Sequence, residues 1–229
     1  MCKRILVIVL ALCLICGFAP AADDPAITQT GMAAFEYYGT MSIGVYAEFE
    51  NTGDHAIEYD EGLAELFDKD GNSLLSSNRV YCYPTVLAPG AKGYAYAILS
   101  LDGVAAEDVA EYRMTLTGKE TAKDAGLLTT AGACETVESG GWTYTYMAAE
   151  ITNESADKLY DIYCVYALMD AAGQLLYVDM LNAYMLGIPA GGSVFVRKIV
   201  PDSLIAYFDE NGLAPAAVEA IAFQNPYAN

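Results

Sequence analysis

Glu48-Phe49-Glu50-Asn51-Thr52 and Glu150-Ile151-Thr152-Asn153-Glu154 are one phrase written twice, 102 positions apart. Each closes a run of alternating residues on an asparagine, a side chain that turns the backbone by hydrogen-bonding to it. Carried forward without a gap, the offset sets Ile57 against Leu159, Leu66 against Leu168, Asp68 against Asp170, Gly71 against Gly173 and Leu74 against Leu176. One residue is then lost, and Leu87-Ala88-Pro89-Gly90 meets Ile188-Pro189-Ala190-Gly191. Upstream, Gly31 meets Gly132. Matches that keep order and register over roughly sixty residues indicate an internal duplication.

Around this phrase the pattern is that of strands. Met41, Ile43, Val45, Ala47 and Phe49 alternate with Ser42, Gly44, Tyr46, Glu48 and Glu50, the period of a half-buried strand. Its counterpart runs over 143–151. Residues 62–67 and 164–169 read as central strands, each ending at an aspartate. Turns follow at Asp68-Lys69-Asp70-Gly71 and Asp170-Ala171-Ala172-Gly173, where glycine supplies positive φ. Further strands are predicted at 94–99 and 193–199, and at 112–116 and 218–223. Between these pairs, 102–109 and 202–211 read as short helical turns, the second capped at Pro201-Asp202-Ser203. The fold expected is all-β: two tandem immunoglobulin-like β-sandwich modules, each with a short helical turn, after an N-terminal signal peptide. The divisions fall at 1–21 (signal peptide), 22–123 (first repeat) and 124–229 (second repeat), the boundary lying in the polar, aperiodic stretch 117–126.

The signal peptide rests on Lys3 and Arg4, then an uncharged apolar run over 5–18, then Ala19-Pro20-Ala21 with small residues at the −3 and −1 positions. The run is short for a membrane span. Leu12 and Ile15 precede Cys13 and Cys16, which disfavours a lipoprotein. Cleavage leaves nine basic residues against 30 acidic ones, a charge of −21 against −19 for the whole chain. Such a field repels nucleic acid and anionic membranes and favours solubility. With 55% hydrophobic residues the chain has material for ordinary cores. Cys82, Cys134 and Cys164 then remain, an odd number at wide spacing. They read as small buried hydrophobes rather than as a disulfide framework or zinc site.

Strand, Asn turn, strand ending in aspartate, Asp-Gly hairpin and Leu-x-Pro-Gly turn together resemble the FxLYD domain. Its naming motif falls on Ala64-Glu65-Leu66-Phe67-Asp68 and on Tyr166-Ala167-Leu168-Met169-Asp170. Leucine and aspartate hold in both copies. The leading Phe is replaced by Ala64 and Tyr166, and the Tyr by Phe67 and Met169. The resemblance implies a β-sandwich module of exported bacterial or archaeal proteins, with no catalytic residues to carry over.

His55, the one histidine, lies in a polar turn, and no nucleophile elbow accompanies it. No HExxH, Walker loop or GxGxxG occurs. Asp68-Lys69-Asp70-Gly71-Asn72 has its glycine at the wrong spacing for a calcium loop and reads as a hairpin, with weak calcium binding by the acidic surface as the alternative. No catalytic, cofactor or metal-binding residue is assigned. Trp142, Tyr144 and Tyr146 share one strand face, opposite Thr143, Thr145 and Met147. Core packing is the expected role of that face in a sandwich. A partner- or sugar-binding platform is the alternative. The functional expectation is a secreted or envelope-associated, non-catalytic interaction module that binds a protein at the cell surface. Carbohydrate or small-ligand binding near Trp142 is the second reading, with neither a nucleic-acid partner nor a membrane span after signal removal.

Overall fold

The computed structural model describes residues 24–183 and 187–226; the expected signal peptide lies outside the described residues. Alternation becomes extended chain from β1 (Ala26–Tyr37) and β2 (Thr40–Glu50) onward. There follow β3 (Ile57–Phe67), β4 (Ser73–Ser77), β5 (Tyr81–Tyr83), β6 (Val86–Leu87), β7 (Lys92–Ser100) and β8 (Glu111–Glu120). Beyond them come β9 (Leu127–Ser139), β10 (Trp142–Thr152), β11 (Ile162–Asp170), β12 (Leu175–Ala183), β13 (Ser193–Ile199), α1 (Asp202–Asn211) and β14 (Pro215–Gln224). The described chain is all-β, paired antiparallel, with one short α-helix. No helix among the described residues is long and apolar enough to cross a membrane.

The strands form three sheets. One has the order β1-β2-β7-β5, a second β4-β3-β6 with β8 also on β3, and a third β12-β11-β14-β9-β10-β13. The predicted hairpins form as expected. Asp68 Oδ1 accepts from the backbone N–H of Asp70 and Asn72, each at 2.8 Å, and Asp170 Oδ1 does the same for Ala172 and Gln174. Gly71 and Gly173 both stand at φ 80°, which an L side chain resists.

The two asparagines of the repeated phrase are buried knots. Asn51 Nδ2 donates to the carbonyls of His55 and Leu87, and Asn153 Nδ2 to those of Asp157, Ile188 and Pro189. Their Oδ1 atoms accept from the N–H of Gly53 and of Ser155. Each asparagine thus ties a strand end to the turn 36 residues on, its buried amide fully engaged by backbone groups.

Three local expectations shift. The first predicted helical turn is a 3-10 turn over only Ala106–Asp108. Helix α1 has no side-chain cap, because its N-cap is Pro201, whose side chain offers no acceptor, and Ser203 Oγ donates to the Glu36 carbonyl near the end of β1. Strand pairing also separates the two upstream glycines. Gly31 stands opposite Tyr46, whereas the residue opposite Ala148, 102 positions beyond Tyr46, is Ala133. Gly132 lies one place along, opposite Ala149, and so points to the other side of its strand.

Two hydrophobic clusters fill the interior. One comprises Ile43, Val45, Ala47 and Phe49 of β2 with Leu66, Ala95, Ala97, Met114 and Leu116. The other gathers Met147, Ile151, Leu168, Tyr177, Leu204 and Phe208 and also takes Ala33, Phe35, Tyr46 and Tyr94 from the first three long strands of the β1-β2-β7 sheet. Both sides of β2 are therefore buried. Tyr177 meets Phe35 and Tyr46 edge-on at 6.2 and 5.4 Å, and Phe223 stacks on Tyr83 at 6.0 Å. Burying each such aromatic contributes about 2–3 kcal/mol from area alone. At Gly31 a Cβ would stand 2.5 Å from the Leu175 carbonyl oxygen, so glycine is what lets β1 and β12 come this close.

Candidate binding face

The sheet segment β9-β10-β13 has two unlike sides. Met147, Ala149 and Ile151 of β10 and Val196 of β13 point into the core. The alternate residues line the other side, where Trp142 and Glu150 are exposed and Ala148 between them is buried. Trp142 stands opposite Ser139, and Tyr144 opposite Val137. Across the other edge Tyr146 pairs with Ile199, Ala148 with Arg197 and Glu150 with Phe195. At about 3.4 Å per residue, Trp142 to Glu150 spans about 27 Å.

Core packing, the first expectation for this face, is not what Trp142 does: it is 69% exposed, and Tyr144 and Tyr146 are half-buried. Trp142 is the first residue of β10, directly after the hairpin glycines Gly140 and Gly141. Three residues that single-strand reasoning did not gather join the aromatics here. Phe195 is 56% and Ile199 44% exposed, and the Arg197 guanidinium lies 4.3 Å from the Tyr146 ring centroid. Alternation within 193–199 already put Phe195, Arg197 and Ile199 on one side of a strand. What the sequence lacked was the neighbour of that strand. Such a surface binds by stacking, apolar contact and a cation held over a ring. Arg197 supplies a positive charge, and Glu150 and Glu135 of β9, paired with Tyr146, supply negative ones.

The remaining sequence candidates lie apart from this face. His55 is half-buried in its turn, with Nδ1 3.0 Å from Asp54 Oδ1. The Asp68 carboxylate is held by its own hairpin, the Asn72 side chain first, which lowers its pKa below the usual range. Among the described residues no group of three or more His, Cys, Asp and Glu side chains is placed to hold a metal ion. A depression beside the β3 bulge is lined by Tyr59, Asp60, Glu61, Gly62, Asn78 and Val80, but Asp60 is engaged by Lys119 at 2.6 Å. Cys82 and Cys164 are buried as expected. Burial pushes the Cys164 thiol up to about 12 and that of Cys82 further. Cys134 departs from the expectation: it is half-exposed on β9, with its thiol raised more modestly by partial burial and by Glu135.

No known protein-family model matches the chain, and no curated protein matches it either.

Proposed function

We propose that this chain is an exported, non-catalytic interaction protein built of two tandem immunoglobulin-like, FxLYD-related sandwich modules, and that it binds a protein partner through the outward face of β10 and β13. The observation that carries the binding reading is the exposure of Trp142, Phe195 and Ile199 beside Tyr144, Tyr146 and Arg197 on one side of a sheet. Aromatic and arginine side chains are the residues enriched at protein interfaces. The tandem reading draws support from strand pairing. Gly44, Tyr46 and Glu48 face Ile98, Tyr96 and Tyr94, and 102 positions on, Tyr146, Ala148 and Glu150 face Ile199, Arg197 and Phe195. Export and a site at the cell surface or in the secretome rest on the N-terminal segment and on the acidic charge.

A photo-cross-linking residue at position 142 or 195, introduced in the producing cell, tests this reading. A discrete adduct from both positions and none from the exposed turn position Asp54 is the expected result. Absence of any adduct from either face position overturns it.

The exposed indole beside the half-buried Tyr144 ring also favours a second reading, stacking on a sugar ring. Glycan-array binding that disappears in Trp142→Ala without loss of folding would select it over the first. A wild-type chain that binds no glycan removes it.

A further inference from the structure

The chain carries within itself one instance of how such a face is covered. The side of β2 and β7 that bears Tyr46 and Tyr94 is buried under the second half. There the Tyr94 hydroxyl donates to Glu219 of β14 and stands 3.4 Å from Glu48. Strand pairing gives the counterparts on β10 and β13. Glu48 faces Tyr94 as Glu150 faces Phe195, and Gly44 faces Ile98 as Tyr146 faces Ile199. Glutamate, aromatic and isoleucine are thus kept at positions that in β2 and β7 make the internal contact, yet on β10 and β13 they meet solvent.

The covering sheet has a counterpart too. Ala167 of β11 faces Glu219 of β14, and 102 positions before Ala167, Glu65 of β3 faces Arg113 of β8. Arg113 therefore holds the register position of Glu219. Around it lie Leu63, Glu65 and Phe67, alternate to the core residues Ala64 and Leu66 and so outward. Leu63 is 36% exposed, and the Arg113 guanidinium lies 5.0 Å from the Phe67 ring centroid.

We infer that the β10–β13 face of one copy takes the outward side of the β4-β3-β8 sheet of a second copy, head to tail, in the manner in which β2 and β7 already take the β12-β11-β14 sheet. This rests on the sheet-face reading above and names its occupant. The charges support it. Inside the chain an acid, Glu219, meets the hydroxyl of Tyr94. Between copies Arg113 meets Phe195, which has no hydroxyl, with Glu150 paired directly beside it. A guanidinium there gains a ring face and a carboxylate together. Arg197 in turn is met by Glu65. A heterologous contact of this kind extends rather than closes, so association grows with concentration.

Sedimentation of the full mature chain up to about 0.5 mM, in salt sufficient to screen its general repulsion, is the test. Wild type is expected to show concentration-dependent association, with the Trp142 fluorescence shifting blue as the face is covered. Arg113→Glu and Glu150→Arg are both surface changes, and each alone should weaken association at least tenfold. An equimolar mixture of the two variants should restore it. The acid introduced on one copy then meets the base introduced on the other, and the unaltered pair forms at the next contact. A wild type that stays monomeric overturns the inference, while the cross-linking at positions 142 and 195 decides the wider reading by itself. Sensitivity to Glu150→Arg but not to Arg113→Glu also overturns it, since that pattern belongs to a face pairing with itself. Unchanged melting temperatures in the variants exclude misfolding as the cause.

Discussion

The Tyr94 hydroxyl donates to Glu219 Oε2 at 2.5 Å, joining β7 to β14 across 125 positions of sequence. Tyr94 is buried, and the same hydroxyl stands 3.4 Å from Glu48, itself only 3% exposed. One phenol therefore ties the two halves together and helps to hold a buried carboxylate, which also accepts from Thr28 Oγ1 at 2.7 Å and faces Lys92 at 3.4 Å.

Replacing that phenol by phenylalanine keeps the ring and removes the bond. Tyr94→Phe is expected to cost about 1 kcal/mol in urea unfolding, because Glu219 is exposed enough to turn to water. Glu48→Leu in the Tyr94→Phe background should recover part of the loss, since it removes the charge the hydroxyl had helped to satisfy.

Asn51 and Asn153 should be far less replaceable. Asn51→Ala removes the partner of the Gly53 N–H and the amide's donations to the His55 and Leu87 carbonyls, and about 1–3 kcal/mol is expected. Asn51→Asp should be worse near neutrality, because it buries a charge and offers an acceptor where a donor is needed. Burial raises the folded-state pKa of the introduced acid above its unfolded value of about 3.9, so the excess penalty should shrink as pH falls through the folded value. An excess that does not shrink on acidification would contradict the assigned orientation of the side chain.

The thiols should separate by burial. Mass mapping after brief maleimide treatment should find Cys134 modified first, slowly because its thiol is raised by partial burial. Cys82 and Cys164 should react only with unfolding. Equal labelling of all three in the native state would mean that the two cores open easily.

Alkaline stability follows from the tyrosines. Burial raises Tyr46, Tyr94, Tyr96, Tyr166 and Tyr177 well above the ordinary value of 10.0, and Tyr83 to about 12. A folded pKa above the unfolded one gives stability that is complete below pH of about 10 and is lost as pH rises through the folded values. Unfolding free energy should therefore fall from about pH 10 upward. Full phenolate absorbance at a pH of about 11 with the fold intact would refute the burial of these rings.

Local chemistry made much of the fold readable. Residues 41–50 alternate, and they form β2. Gly71 and Gly173 sit at positive φ in tight hairpins, each three residues after an aspartate whose carboxylate accepts the N–H groups of the turn. Asn51 and Asn153 mark turns because their side chains reach backbone groups only two to four residues away. The binding face was half readable. The side of β10 carrying Trp142, Tyr144 and Tyr146 was visible as a pattern of period two, but its direction, outward rather than into a core, was not. Period two distinguishes the sides of a strand without saying which one is covered.

By itself, then, the sequence determined the strands, the hairpins and the repetition, since each is set by interactions within a few residues or by a shared register. Tertiary structure alone decided that both sides of β2 are buried while β10, its counterpart, leaves one open. The more polar side of β2, with Ser42, Gly44 and Glu48, is covered because β11, β12 and β14 lie over it and bring Tyr177 and Glu219 against Tyr46 and Tyr94. Among the described residues no strand follows β14 to do the same for Trp142, Phe195 and Ile199. Burial is a property of what packs against a residue. For β2 that partner lies a hundred positions away; in the contact inferred for β10 and β13 it lies on another molecule.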